Sequence, residues 1–199
     1  MLFRSPRALA VGFSHPGHLV YDLDALALRG WWSGAFARQR ASGKSWYWEA
    51  AGSGLQVLPV GASGVESDVR LQWRDQPSIA ATLQHGRAGQ VTGYQTSLEE
   101  LQLRYDLYFT VEGRMVRIPV TEVIRPEVPP DSDSESGIIH REFEVRGVPE
   151  SVRVLVRTAT RADTEGWVVR DILLDQGESD HRGSVAVRVV APVRPSSEL

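Results

Sequence analysis

The chain has 199 residues, no cysteine and a formal net charge of −3, with 42% hydrophobic and 24% charged residues. That length fits one domain able to bury its own core, and the absent cysteine excludes a disulfide scaffold, a thiolate zinc site, an iron–sulfur cluster, covalent haem and a cysteine nucleophile. The acidic balance is not that of a globally basic nucleic-acid binder or a polybasic membrane binder.

The N-terminal apolar run at 8–13, behind Arg4 and Arg7, is too short for the core of an export signal, so none is expected. No stretch approaches the ~18 apolar residues of a membrane span. Short segments rich in β-branched and aromatic residues predict strands at 7–13, 18–22, 26–32, 56–60, 69–73 and 90–94. The clearest signal follows. Leu101, Leu103, Tyr105, Leu107 and Phe109 alternate with polar residues, Glu112-Gly113 breaks the run, and Val116, Ile118 and Val120 resume it. A period of two on both sides of a turn predicts a long hairpin over 101–124. Further strands are predicted at 138–145, at Val152/Val154/Val156, at 167–173 and at Val185/Val187/Val189. Helical spacing is nearly absent; Leu98-Glu99-Glu100-Leu101 offers one turn after Ser97. Loops are expected at 34–45, 61–67 and the Pro/Asp/Ser-rich 125–137. The expected architecture is an antiparallel β-sandwich of about ten to twelve strands, a single domain over 1–191 with a flexible tail at 192–199.

Five candidate sites stand out. Trp31, Trp32, Phe36, Trp46, Tyr47 and Trp48 cluster around a polar, basic stretch carrying Arg38 and Arg40. Trp and Tyr rings stack on sugars and anchor protein interfaces. Neighbouring residues of a strand face opposite ways, so at least one of Trp31/Trp32 and one of Trp46–Trp48 is expected at the surface or under a loop. The competing reading is a core edge. His15-Pro16-Gly17-His18 has two potential metal ligands, but Pro-Gly reads as a tight turn between strands and no third ligand is evident. The acidic run Asp131, Asp133, Glu135 lacks glycine at the sixth position of a calcium loop, which is Ser136, and reads as a solvated loop. Glu99/Glu100 and Asp22/Asp24 are carboxylate pairs of glycosidase type, but strand neighbours point to opposite faces. No G-x-S-x-G, P-loop or G-x-G-x-x-G motif is present, so neither a nucleophile elbow nor a nucleotide cradle is expected. No cofactor is expected.

The segments Arg7-Ala8-Leu9-Ala10-Val11-Gly12, Val20-Tyr21-Asp22-Leu23-Asp24 and Leu28-Arg29-Gly30-Trp31-Trp32-Ser33-Gly34-Ala35-Phe36 resemble a β-rich module of bacterial secreted multidomain proteins. That module occurs beside c-type cytochrome and quinoprotein sugar dehydrogenase modules. Gly93-Tyr94, Leu103-Arg104-Tyr105, Val120-Thr121-Glu122 and Arg141-Glu142-Phe143 extend the resemblance over residues 7–158. It implies an extracytoplasmic, periplasmic or extracellular, sandwich with mutarotase-like sheets beside a redox partner. It supplies no catalytic residues, and the histidines at 15 and 18 stand where its pattern shows glycines.

The function expected from these readings is a non-enzymatic accessory module. It would dock on a cytochrome-bearing or membrane-associated electron-transfer complex through Trp31, Trp32, Phe36, Trp46, Trp48, Arg38 and Arg40, with Trp32 and Trp48 as anchors. Carbohydrate binding by the same rings is the first alternative. A mutarotase-like enzyme, needing a His or carboxylate pair on one concave sheet, is the second.

Overall fold

A computed structural model describes residues 7–14, 17–42, 45–57, 67–73, 78–79, 88–127, 137–150, 152–162, 166–176 and 180–189, in some stretches by backbone alone. Sixteen strands run in chain order: β1 (Ala8–Gly12), β2 (His18–Asp22), β3 (Ala27–Ser33), β4 (Ala37–Ser42), β5 (Ser45–Ala50), β6 (Ser53–Val57), β7 (Val69–Trp73), β8 (Ser78–Ile79), β9 (Gly89–Thr96), β10 (Leu101–Val111), β11 (Arg114–Glu127), β12 (Gly137–Arg146), β13 (Val152–Ala162), β14 (Gly166–Leu173), β15 (Asp175–Gln176) and β16 (Asp180–Val189). No helix occurs among the described residues. The strands form a four-stranded sheet β1-β2-β3-β6, a six-stranded sheet β15-β16-β12-β11-β10-β9, a four-stranded sheet β14-β13-β7-β8 and the separate hairpin β4-β5. All described pairings are antiparallel. The chain is all-β, with several antiparallel sheets packed on one another, as a β-sandwich requires.

The predicted 101–124 hairpin is the spine of the large sheet. β10 and β11 pair from Leu101↔Ile124 to Val111↔Arg114. Glu112 and Gly113, with φ of 51° and 75°, make the turn. Two successive left-handed residues fit the twist of the flanking strands, and glycine takes the second at no steric cost. The inward parity buries Leu101, Leu103, Tyr105, Leu107 and Phe109 on β10, and Ile118, Val120 and Ile124 on β11. These side chains meet Leu19, Tyr21 and Leu28 of the β1-β2-β3-β6 sheet, and Val69, Leu71, Val152, Val154 and Val156 of the β14-β13-β7-β8 sheet, in one contiguous apolar cluster. Burying apolar area at about 25 cal/mol per Å2 drives this stacking.

Four departures from the sequence expectations have local causes. Within the loop expected at 34–45, residues 37–42 and Ser45 are strand: β4 and β5 pair from Ala37↔Ala50 to Ser42↔Ser45. Arg38-Gln39-Arg40-Ala41 of β4 are all exposed and carry no apolar alternation, which hid that hairpin from a periodicity reading. Residues 125–127 continue β11, with Arg125↔His140 and Pro126↔Ile139 paired in the ladder. Residues 97–100 form a bend rather than a helical turn, the Ser97 hydroxyl accepting from the amides of Glu99 (3.1 Å) and Glu100 (3.0 Å). Serine side chains capture nearby amides in this way and compete with helix formation. The strand total exceeds expectation through that hairpin and the two-residue strands β8 and β15. The tail at 192–199 and residues 61–66 of the loop expected at 61–67 lie outside the described residues.

Candidate functional site

The aromatic cluster divides between core and surface. Trp31 and Trp32 are 6% and 2% exposed, so both indoles lie in the interior of the fold. Trp31 belongs to the central apolar cluster and packs against Gly17, where a Cβ would fall inside the indole. Trp32 faces the other way and is covered by the chain that follows it. Its Nε1–H donates to the carbonyl of Phe36 (2.6 Å), with the Ala35 carbonyl at 3.2 Å. The Phe36 ring lies stacked on it at 6.0 Å between centroids, and the His18 ring packs on both. His18 is buried, and its Nε2–H donates to the Gly34 carbonyl at 2.6 Å. Trp32, His18 and Phe36 thus clamp the base of the β4–β5 hairpin, which the Ala51 amide closes by donating to the Phe36 carbonyl.

Beyond that clamp the hairpin pairs with none of the larger sheets, and Arg38, Gln39, Arg40 and Ala41 of β4 and Trp48 of β5 are exposed. The register sets the faces. Arg38, Arg40 and Glu49 lie on one side, and Gln39 and Trp48 on the other. Trp48 is 66% exposed and Phe36, at the base, 41%. On the opposite face the Nε–H groups of Arg38 and Arg40 both donate to Oε1 of Glu49, the Arg40 bond measuring 2.6 Å. Those hydrogen bonds hold the Glu49 carboxyl below the usual carboxylate range, Arg40's first and Arg38's second. Trp46 pairs with Ala41 in the backbone register, and its side chain lies outside the described residues.

The other candidates have structural explanations. His15 lies outside the described residues, as does the acidic run 131–136, and His18 is occupied in the clamp. Asp22 Oδ1 accepts from the amides of Asp24 (2.9 Å) and Ala25 (3.0 Å), capping the β2–β3 turn, and Asp24 pairs with Arg7 at 3.6 Å. Glu100 pairs with Arg125 at 3.0 Å, while Glu99 sits exposed on the bend. Among the described residues no group of three His, Asp or Glu is placed to hold a metal ion.

A buried polar centre lay unnoticed in the sequence. Glu122 and Arg141 occupy inward positions of β11 and β12, in the same parity as Val120, Ile124, Ile139 and Phe143. Arg141 Nε–H donates to Glu122 Oε1 at 2.7 Å, and the Tyr21 and Tyr105 hydroxyls donate to Oε2 at 2.8 and 3.1 Å. Arg141 Nη2 lies 2.6 Å from Glu122 Oε1 and 2.9 Å from Asp68 Oδ2, bent away from hydrogen-bond geometry, so it adds charge attraction rather than an aligned bond. Asp68 Oδ2 also accepts from the Leu28 amide at 2.9 Å, and its carbonyl accepts from the Arg157 amide at 2.7 Å. The centre therefore ties β2 and β3, the approach to β7, and β10–β12 together at one point. Burial pushes the Tyr21 and Tyr105 hydroxyls well up, and the Glu122 carboxylate adds to it, so both stay protonated donors. Burial alone would lower the Arg141 guanidinium, but Glu122 and Asp68 hold it above its ordinary value. All of these groups are sealed in the core. A Glu and an Arg at inward parity on consecutive strands were the signal that could have found them.

Comparison with family models, with curated proteins and with solved structures returns no match to this chain. The described geometry is that of an all-β sandwich with a polar rivet in its core and an exposed aromatic–arginine hairpin.

Proposed function

We propose that this chain is a non-enzymatic interaction module that docks on a protein partner through the β4–β5 hairpin, and that the partner belongs to an extracytoplasmic, membrane-associated electron-transfer assembly. The docking role rests on one observation: a hairpin paired with none of the larger sheets, clamped at its base, holds Trp48 two-thirds exposed on one face and an organised arginine pair on the other. Large exposed aromatics and arginines are the residue types that dominate interface energetics. The electron-transfer partner is motivated by the resemblance of residues 7–158 alone. The sugar-binding reading keeps, among the described side chains, Trp48 and the half-exposed Phe36 instead of a row of rings.

The test is capture of tagged protein from its native host in mild detergent, with mass spectrometry and visible absorption of the eluate. A stoichiometric, haem-coloured partner whose capture weakens about 30-fold with Trp48→Ala, the equivalent of about 2 kcal/mol at a central anchor, supports the reading. A solitary colourless protein overturns it and directs the work to a glycan panel read by tryptophan emission.

A further inference from the structure

We infer that the surface gripping the hairpin is a protein cleft with one acidic wall and one apolar wall; this rests on the docking role given to the hairpin above. The argument starts from Glu49. Two guanidiniums converge on one of its carboxylate oxygens, and both use Nε. The Arg38 and Arg40 side chains are 54% and 49% exposed, and among the described residues Glu49 is the partner of both. A guanidinium held through Nε presents its remaining donors as a fork matched to a carboxylate, and the entropy of ordering two long side chains is spent before binding. Two cations on one anion leave a local excess of one positive charge, in a chain whose overall charge is −3. That contrast selects an acidic counterpart by local complementarity rather than by long-range attraction.

The second wall follows from the register. Trp48 projects on the face opposite Arg38, Arg40 and Glu49. A flat partner would cover one face and leave the other in water. A partner that uses both must close around the hairpin, placing carboxylates against the arginines and apolar groups against the indole. The same separation disfavours single-stranded nucleic acid, which needs its stacking ring and its phosphate contacts along one groove.

The experiment places the photo-crosslinker p-benzoylphenylalanine at Gln39, opposite Trp48, in the full chain expressed in its native host. Irradiation is followed by mass spectrometry of the adduct, at 50 and 500 mM NaCl and in the Arg38→Gln/Arg40→Gln and Trp48→Ala backgrounds. All three substitutions fall on exposed side chains, and circular dichroism verifies the fold. The expected result is an adduct to an apolar peptide of a protein partner, its yield falling about tenfold or more at high salt and in the double arginine variant, and likewise in Trp48→Ala. A protein adduct indifferent to salt and to both arginines overturns the acidic wall and leaves the docking role standing. An adduct to lipid or nucleic acid overturns the protein cleft. No adduct under any condition overturns the docking role as well.

Discussion

Glu122 shows how much one side chain can carry when it is buried. Its carboxylate receives Arg141, Tyr21 and Tyr105, and through Arg141 it is joined to Asp68. Taking one member from such a centre leaves the others charged and unpaired, which costs about 3–5 kcal/mol, whereas removing a pair together costs less than the sum. Glu122→Ala and Arg141→Met are each expected to lower unfolding free energy by that amount in urea titrations, with the double variant well short of additive. The centre also makes stability depend on pH. Burial raises the Glu122 carboxyl above its ordinary value, against the opposing pull of Arg141. The folded protein therefore keeps that proton to higher pH than the unfolded chain. Between the two values the folded state binds more protons, so this group's contribution to stability falls as pH rises through the window and returns on acidification. Urea midpoints measured across the window should show that slope in the wild type and a flatter one in Glu122→Gln; an unaltered slope would assign the dependence to other groups.

At the scale of elements, the aromatic-rich segment splits into an anchor and a probe. Trp31 faces the core across Gly17, and Trp32, one residue on, binds the hairpin's base. Gly17→Ala drives a methyl into the Trp31 ring, and overpacking of this kind costs about 1–3 kcal/mol. Thermal unfolding should show that loss, and wild-type stability would mean that the indole can move aside. Trp48→Ala removes an exposed ring and should change stability by under about 0.5 kcal/mol while weakening docking, a separation that Trp32→Ala, costing about 3–5 kcal/mol, cannot give. The sequence showed that consecutive rings must part. It did not show which would be buried, because alternation assigns relative faces and not the side on which a neighbouring sheet lies.

Across the whole molecule, the long β10–β11–β12 ladder and the apolar cluster beneath it should open together, whereas the two-stranded β4–β5 hairpin is held by its own ladder and a clamp at one end. Amide exchange should therefore be fastest in Arg38–Ala41 and slowest in the central residues of β10, β11 and β12, where opening approaches global unfolding. Uniform protection would mean that the hairpin is covered, by a second copy or by chain outside the described residues.

Alternation by itself determined the all-β class, the 101–124 hairpin and its Glu-Gly turn, since a period of two with one face apolar has one stable reading. Composition by itself excluded thiol and covalent-haem chemistry. Tertiary structure alone decided what the polar and aromatic residues do. Glu122 and Arg141 look like surface residues by type, and only the meeting of three sheets makes them a buried centre. Residues 37–45 look like a loop by pattern, and only a ladder with the following strand and a clamp built from His18, Trp32 and Phe36 make the segment part of a hairpin. In both cases the deciding contacts join residues distant in sequence, which no local pattern encodes.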